Sequence, residues 1–141
     1  MPTIPNGYQV VDVLLETPRS NGLIQQLKDS LGEDQMKRVK LSFQRSPEFI
    51  SKADFTWKPR NLEGVQQIRV FVPTLSDAGL TVMLDGETVW NPPEKNGRNI
   101  LSPQIDLDLE EPKLSVTIDD HGDNGINGGV DEIYILRPTT N

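Results

Sequence analysis

Through most of this chain apolar side chains recur at every second position, and that period leaves few folds open. Val39, Leu41 and Phe43 share one side, while Arg38, Lys40, Ser42 and Gln44 share the other. Phe55 and Trp57 alternate with Asp54, Thr56 and Lys58 before Pro59 ends the run. Ile68, Val70 and Val72 alternate with Gln67, Arg69 and Phe71. Ile105, Leu107 and Leu109 alternate with Asp106, Asp108 and Glu110, and Leu114, Val116 and Ile118 follow Pro112. Successive side chains of a β-strand point to opposite faces, so each run predicts a half-buried strand. Leu80, Val82 and Leu84 lead into Asp85-Gly86, a strong hairpin signal, and Val89-Trp90 returns. A last strand is predicted from about Val130 to Leu136.

The first strand reads differently. From Tyr8 to Glu16 the residues Val10, Val11, Val13, Leu14 and Leu15 are nearly continuous, which predicts burial on both faces before Pro18 stops the run. One helical stripe follows: Ser20 or Asn21 caps a short helix carrying Leu23, Ile24, Leu27 and Leu31, closed by Gly32. A parallel α/β sheet needs a crossover between each pair of strands, usually a helix, and here there is one helix for seven or eight strands. The expected fold is therefore all-β, an antiparallel β-sandwich or jelly roll with one short helix and an irregular N-terminal arm. A chain of 141 residues fits one domain, and hydrophobic residues at 35% suit a thin two-layer core. A softer boundary near residues 59–64 divides 1–64, holding the arm, the early strands and the helix, from a compact β unit at 65–138.

Charge and cysteine content narrow the function classes. The net charge is −7, with 14 basic against 21 acidic residues, so the chain lacks the electrostatic footprint of a nucleic-acid binder. Its basic cluster of Lys37, Arg38, Lys40 and Arg45 reads as a solvated strand face. With no cysteine there is neither a disulfide framework nor a thiolate metal site. The first residues have no basic start and no apolar run, and no segment reaches eighteen apolar residues. Neither a secretory leader nor a membrane span is expected.

Catalytic signatures are missing. His121 is the one histidine, so a multi-histidine metal site is ruled out, and no G-x-S-x-G, P-loop, H-E-x-x-H or Rossmann fingerprint occurs. His121 between Asp120 and Gly122 reads as an exposed loop residue. Paired glycosidase carboxylates are defined in space rather than along the chain, and 21 acids carry no information about them. No catalytic residue is assigned, and the chain is read as a non-enzyme.

The chemistry concentrates in one stretch. Between Ile118 and Glu132 stand Asp119, Asp120, Asp123 and Asp131, with Asn124, Asn127 and four glycines. Hard oxygen ligands on a pliable backbone suit Ca²⁺. The ligand candidates are Asp119, Asp120, Asp123, Asn127 and Asp131. The EF-hand spacing does not fit: begun at Asp123, it puts Gly125 at the third position and Tyr134 where a bidentate Glu belongs. Asp131 lies at strand parity with Ile133 and Ile135, toward an apolar side, where a carboxylate needs a metal, a cation or N–H donors. The competing structural reading makes Asp131 a strand-entry turn residue, with Asn124-Gly125 and Asn127-Gly128 as ordinary turns.

The segment Leu114 to Leu136 resembles the C-terminal hairpin of calcium-dependent xylan-binding modules. The resemblance is carried by Leu-Ser-Val-Thr-Ile-Asp-Asp, then a loop, then Val130-Asp131-Glu132-Ile133-Tyr134-Ile135. It implies a β-sandwich in which Asp119 or Asp120, Asp123 and Asp131 hold a Ca²⁺ that touches sugar hydroxyls. Trp90, at a strand end beside Asn91-Pro92-Pro93, and Tyr134 are the candidate aromatic platforms for a sugar ring. Trp57 is expected in the core.

Two readings follow. The first is a structural or assembly protein, a β-sandwich subunit docking on other chains as a homo- or hetero-oligomer, such as a virion capsid-decoration or tail component. It places the chain in a virion or a cytoplasm-assembled particle. The alternative is a Ca²⁺-dependent carbohydrate-binding module using the acidic 119–131 loop, with a glycan as partner.

Overall fold

The computed structural model describes residues 4–14, 38–45, 50–76, 78–93, 97–107, 112–120, 129–130 and 132–139. Along them run β1 (Tyr8–Leu14), β2 (Lys40–Arg45), β3 (Ile50–Trp57), β4 (Gln67–Ser76), β5 (Ala78–Leu84), β6 (Glu87–Trp90), β7 (Gly97–Leu101), β8 (Ile105–Asp106), β9 (Leu114–Asp120), β10 (Gly129–Val130) and β11 (Ile133–Pro138). They form two antiparallel sheets. One has the order β2-β3-β9-β5-β6; the other runs β1-β11-β4-β10, with β7 and β8 also pairing β4. The chain is a β-sandwich, as the period-two pattern predicts. Strands from the first 64 residues enter both sheets, β1 through β11 and β3 through β9. The helix expected at Ser20 to Gly32 lies outside the described residues. No helix among those residues is long and apolar enough to cross a membrane.

The core lies between the sheets and uses the residues that alternation assigned to it. Ile68, Val70 and Val72 from β4, Leu114, Val116 and Ile118 from β9, Phe55 and Trp57 from β3, and Leu80 and Val82 from β5 are all buried in one cluster. Each such side chain contributes roughly 1.5–3 kcal/mol by leaving water. The β5–β6 hairpin turns at Asp85 (φ 49°) and Gly86 (φ 90°), both in the left-handed region that a tight two-residue turn requires.

The structure differs from the sequence expectation on the outer face of the β4 sheet. Phe71 does share a face with Gln67 and Arg69, yet it is buried. With Tyr134 and Leu136 it forms a second apolar cluster, packed by Ile4, Tyr8, Val13 and Leu101. The first strand is also not buried throughout, since Val10 is 39% exposed.

Two interruptions explain why eleven strands fill few positions. Gly129–Ser76 and Val130–Leu75 keep one register with Tyr134–Phe71, Ile135–Val70 and Leu136–Arg69, so β10 and β11 are one run in two pieces. By that register Glu132 falls opposite Pro73, which has no N–H to give the ladder. On the other flank the pairing passes from Val72–Ile100 to Thr74–Arg98, and the residue skipped, Asn99, has φ 53°. Farther along the same flank, β8 is slipped by one residue relative to β7. Ser102 fills that slip. Its Oγ accepts from the Val70 N–H at 2.8 Å and donates to the Pro103 carbonyl at 2.8 Å, while its own N–H donates to the Val70 carbonyl at 2.8 Å.

Candidate functional site

Strand register brings several connections to one end of the sandwich. β9 ends with Asp119 opposite Lys52 on β3 and Gly79 on β5, then Asp120 opposite Ala78. The chain re-enters the structure at Gly129 opposite Ser76, in the other sheet. Asp120 and Gly129 thus stand in different sheets, beside the end of β4 at Ser76 and the start of β5 at Ala78, while residues 121–128 lie outside the described residues. Facing sheets sit about 10 Å apart, so the ladders that hold Asp120 and Gly129 end within a short span of each other. β7 begins at the same end, because Gly97 pairs Leu75. The last pair of β2 and β3, Arg45–Ile50, lies at this end as well.

Of the expected ligands, Asp119 and Asp120 are the last two residues of β9. Asp123, Asn127 and Asp131 lie outside the described residues, as does His121. Among the described residues no group of three or more His, Asp or Glu side chains is placed to hold a metal. The two aromatic candidates are in different sheets. Trp90 ends edge strand β6 opposite Val82 and is half-buried against the main core. Tyr134 is 6% exposed; its ring packs on Phe71 with centroids 6.3 Å apart at 47°, and its hydroxyl donates to Glu132. That ring is committed to packing.

The most organised polar constellation is one the sequence reading missed. The first strand bulges between Val10 and Asp12, which turns both Val11 and Asp12 inward. Asp12 Oδ1 accepts from the Val13 N–H at 2.9 Å and from Arg38 Nη2 at 2.8 Å. Its Oδ2 accepts from Arg38 Nη1 at 2.9 Å, Trp57 Nε1 at 3.0 Å and the Arg60 N–H at 3.1 Å. A carboxylate offers about four acceptor sites, so five donors leave no room for a substrate. Nearby, Asn61 Nδ2 donates to the Val11 carbonyl at 2.9 Å. This is a structural tie between β1, the chain before β2, and the exit of β3. The signal for it was present in Val-Val-Asp-Val-Leu, a carboxylate inside an apolar strand.

No protein-family model matches the chain, and no curated protein sequence does either. Among solved structures, the chain is similar to CBM51 from Clostridium perfringens GH95 in complex with methyl-galactose, at 11% identity and a TM-score of 0.47, over 94% of this chain and 92% of that one. It is also similar to the structure of the M60 catalytic domain with the CBM51-1 and CBM51-2 domains from Clostridium perfringens ZmpB, at 15% identity and a TM-score of 0.45. There it covers 98% of this chain and 15% of that one. A third is the PA14 sugar-binding domain from an RTX adhesin, at 20% identity and a TM-score of 0.36, over 93% of this chain and 65% of that one. By their names the first and third are a carbohydrate-binding and a sugar-binding domain, the second joins two CBM51 domains to an M60 catalytic domain, and none of the three is named for xylan.

Proposed function

We propose that this chain is a non-catalytic carbohydrate-binding module whose glycan site is the sandwich end spanned by residues 119–131. The observation that supports this reading is where the strands place the two residues that flank residues 121–128. Asp120 is held beside Ala78, and Gly129 beside Ser76. The two residues flanking this oxygen-rich stretch are thereby held at one end of the sandwich, and connections at the end of a rigid scaffold are the usual place for binding residues. Its donor set of carboxylates and carboxamides fits Ca²⁺, with Asp119 or Asp120, Asp123, Asn127 and Asp131 as the residues that would hold it. When bound, the ion would supply a positive charge that attracts sugar hydroxyls. Trp90 would flank the site from the β6 edge.

The assembly reading has less behind it. Among the described residues the one exposed large hydrophobic is Val10, which gives no apolar patch of docking size.

The test is thermal unfolding of the chain with millimolar CaCl₂ and with EGTA, followed by binding to a panel of polysaccharides under both conditions. The expected result is a higher midpoint in calcium and retention on a polysaccharide that EGTA abolishes. Calcium-independent retention would remove the ion from the reading, and no retention on any glycan would overturn it.

A further inference from the structure

A second polar cleft lies far from the acidic end. It has a volume of about 150 Å³ and is lined by Tyr8, Gln67, Ile68, Arg69, Gln104 and Pro138. β4 begins at this cleft with Gln67 and ends at the acidic corner with Ser76, nine residues later, so the two places are about 30 Å apart. We propose that this cleft binds one carboxylate-bearing sugar residue, a uronate, with Arg69 pairing its carboxylate and the two glutamine carboxamides taking its hydroxyls.

Arg69 carries the argument. It is half-buried on a central strand, yet among the described residues its neighbours are a ring and a carbonyl rather than a carboxylate. The guanidinium carbon lies 5.6 Å from the Tyr8 ring centroid, and Nη1 donates to the Ser102 carbonyl at 3.1 Å. A cation–π contact and one hydrogen bond orient the guanidinium, which has five N–H donors in all. A fork held this way is pre-organised for bidentate pairing with a carboxylate. Gln104 is oriented in turn, since its Nε2 donates to Asp106 Oδ1 at 2.9 Å. Its carbonyl oxygen then serves as an acceptor, and Gln67 supplies a second amide on the β4 side.

The walls are fixed by backbone. Tyr8 pairs Pro138, and the Thr139 N–H donates to the Gly7 carbonyl at 2.8 Å, which pins the strand carrying the ring. The cleft is well below the several hundred Å³ of an extended-ligand pocket, so it suits a single ring or chain end. A uronate ring offers both groups at once, one carboxylate for the guanidinium and hydroxyls for the two carboxamides.

The experiment is an NMR titration of the full chain in EGTA, which separates this cleft from any calcium site. The probes are glucuronate, galacturonate, glucose, acetate and a short peptide with a free C-terminus. A uronate is expected to give saturable shifts at the amides of Tyr8, Gln67, Arg69 and Gln104, with glucose binding about tenfold more weakly or worse. Arg69→Gln is expected to weaken the uronate at least about tenfold. Gln104→Ala, at an exposed position, is expected to weaken it in the same direction with the fold intact. Acetate binding as tightly as the uronate, tighter binding of the peptide, or no saturable shift at these amides would each overturn the proposal.

Discussion

Trp57 donates its indole N–H to Asp12 at 3.0 Å, a hydrogen bond that joins a strand of one sheet to a strand of the other. Trp57 is 2% and Asp12 7% exposed. The same carboxylate receives Arg38 through both terminal nitrogens, at 2.8 and 2.9 Å. Charge-assisted bonds of this geometry are stronger than neutral ones, and removing the buried carboxylate takes both bonds from a partly buried cation together with the acceptor of three further donors. Asp12→Ala is therefore expected to destabilise the fold by about 3–5 kcal/mol in a urea titration. Trp57→Phe removes one donor and keeps most of the ring, for an expected loss of about 1–2 kcal/mol. A loss under about 1 kcal/mol for Asp12→Ala would show that the tie is not structural.

Ser102 is fully buried and stands where the β7–β8 run slips against β4. Removing its hydroxyl leaves the Val70 N–H without that acceptor in the interior. Ser102→Ala is expected to cost about 1–3 kcal/mol, the penalty of an unsatisfied buried donor. Amide exchange offers a sharper check: the Val70 amide is expected to lose protection relative to Ile135 on the neighbouring strand. Equal protection in the variant and the parent would mean that another group satisfies Val70.

How far the sequence could be read follows from what period two encodes. It says which residues share a face, and Leu114, Val116 and Ile118 do lie together in the core. It does not say whether the opposite face is covered. Phe71 was grouped correctly with Gln67 and Arg69, yet it is buried, because Tyr134 and Leu136 come beside it from a strand some sixty residues later. The split of β10 from β11 was hidden for the same reason. Nothing between Val130 and Ile133 announces it; its cause is Pro73 in the partner strand. Asp12 could be recognised as a carboxylate needing partners, but Arg38 and Trp57 are 26 and 45 residues away in sequence. The Asp85-Gly86 turn was legible because both its cause and its effect are local.

That turn yields a clean backbone test. Gly86 has φ 90°, and a Cβ built there would meet nothing within 4 Å. Any effect of Gly86→Ala is thus conformational rather than steric, and an L-residue in this region costs roughly 1–2 kcal/mol. The expected result is a loss of that size with an unchanged denaturant slope. No loss at all would mean that the turn relaxes to another type.

The acidic loop and the Asp12 tie make opposite predictions for the same kind of substitution. Asp12 is saturated with protein donors, so Asp12→Ala is expected to lower stability equally in calcium and in EGTA. Asp131 belongs to the proposed ion site, so Asp131→Ala is expected to leave stability in EGTA near the parent and to remove the gain in calcium. A ligand at one hundred times its Kd stabilises by about 2.7 kcal/mol, which for a domain of this size is a midpoint shift of roughly 5–15 °C. Glycan retention is expected to vanish with that shift, because the ion is what draws the sugar hydroxyls. A parent chain that gains nothing from calcium, or an Asp131→Ala chain that keeps the full gain, would leave Asp131 as an ordinary strand-entry residue.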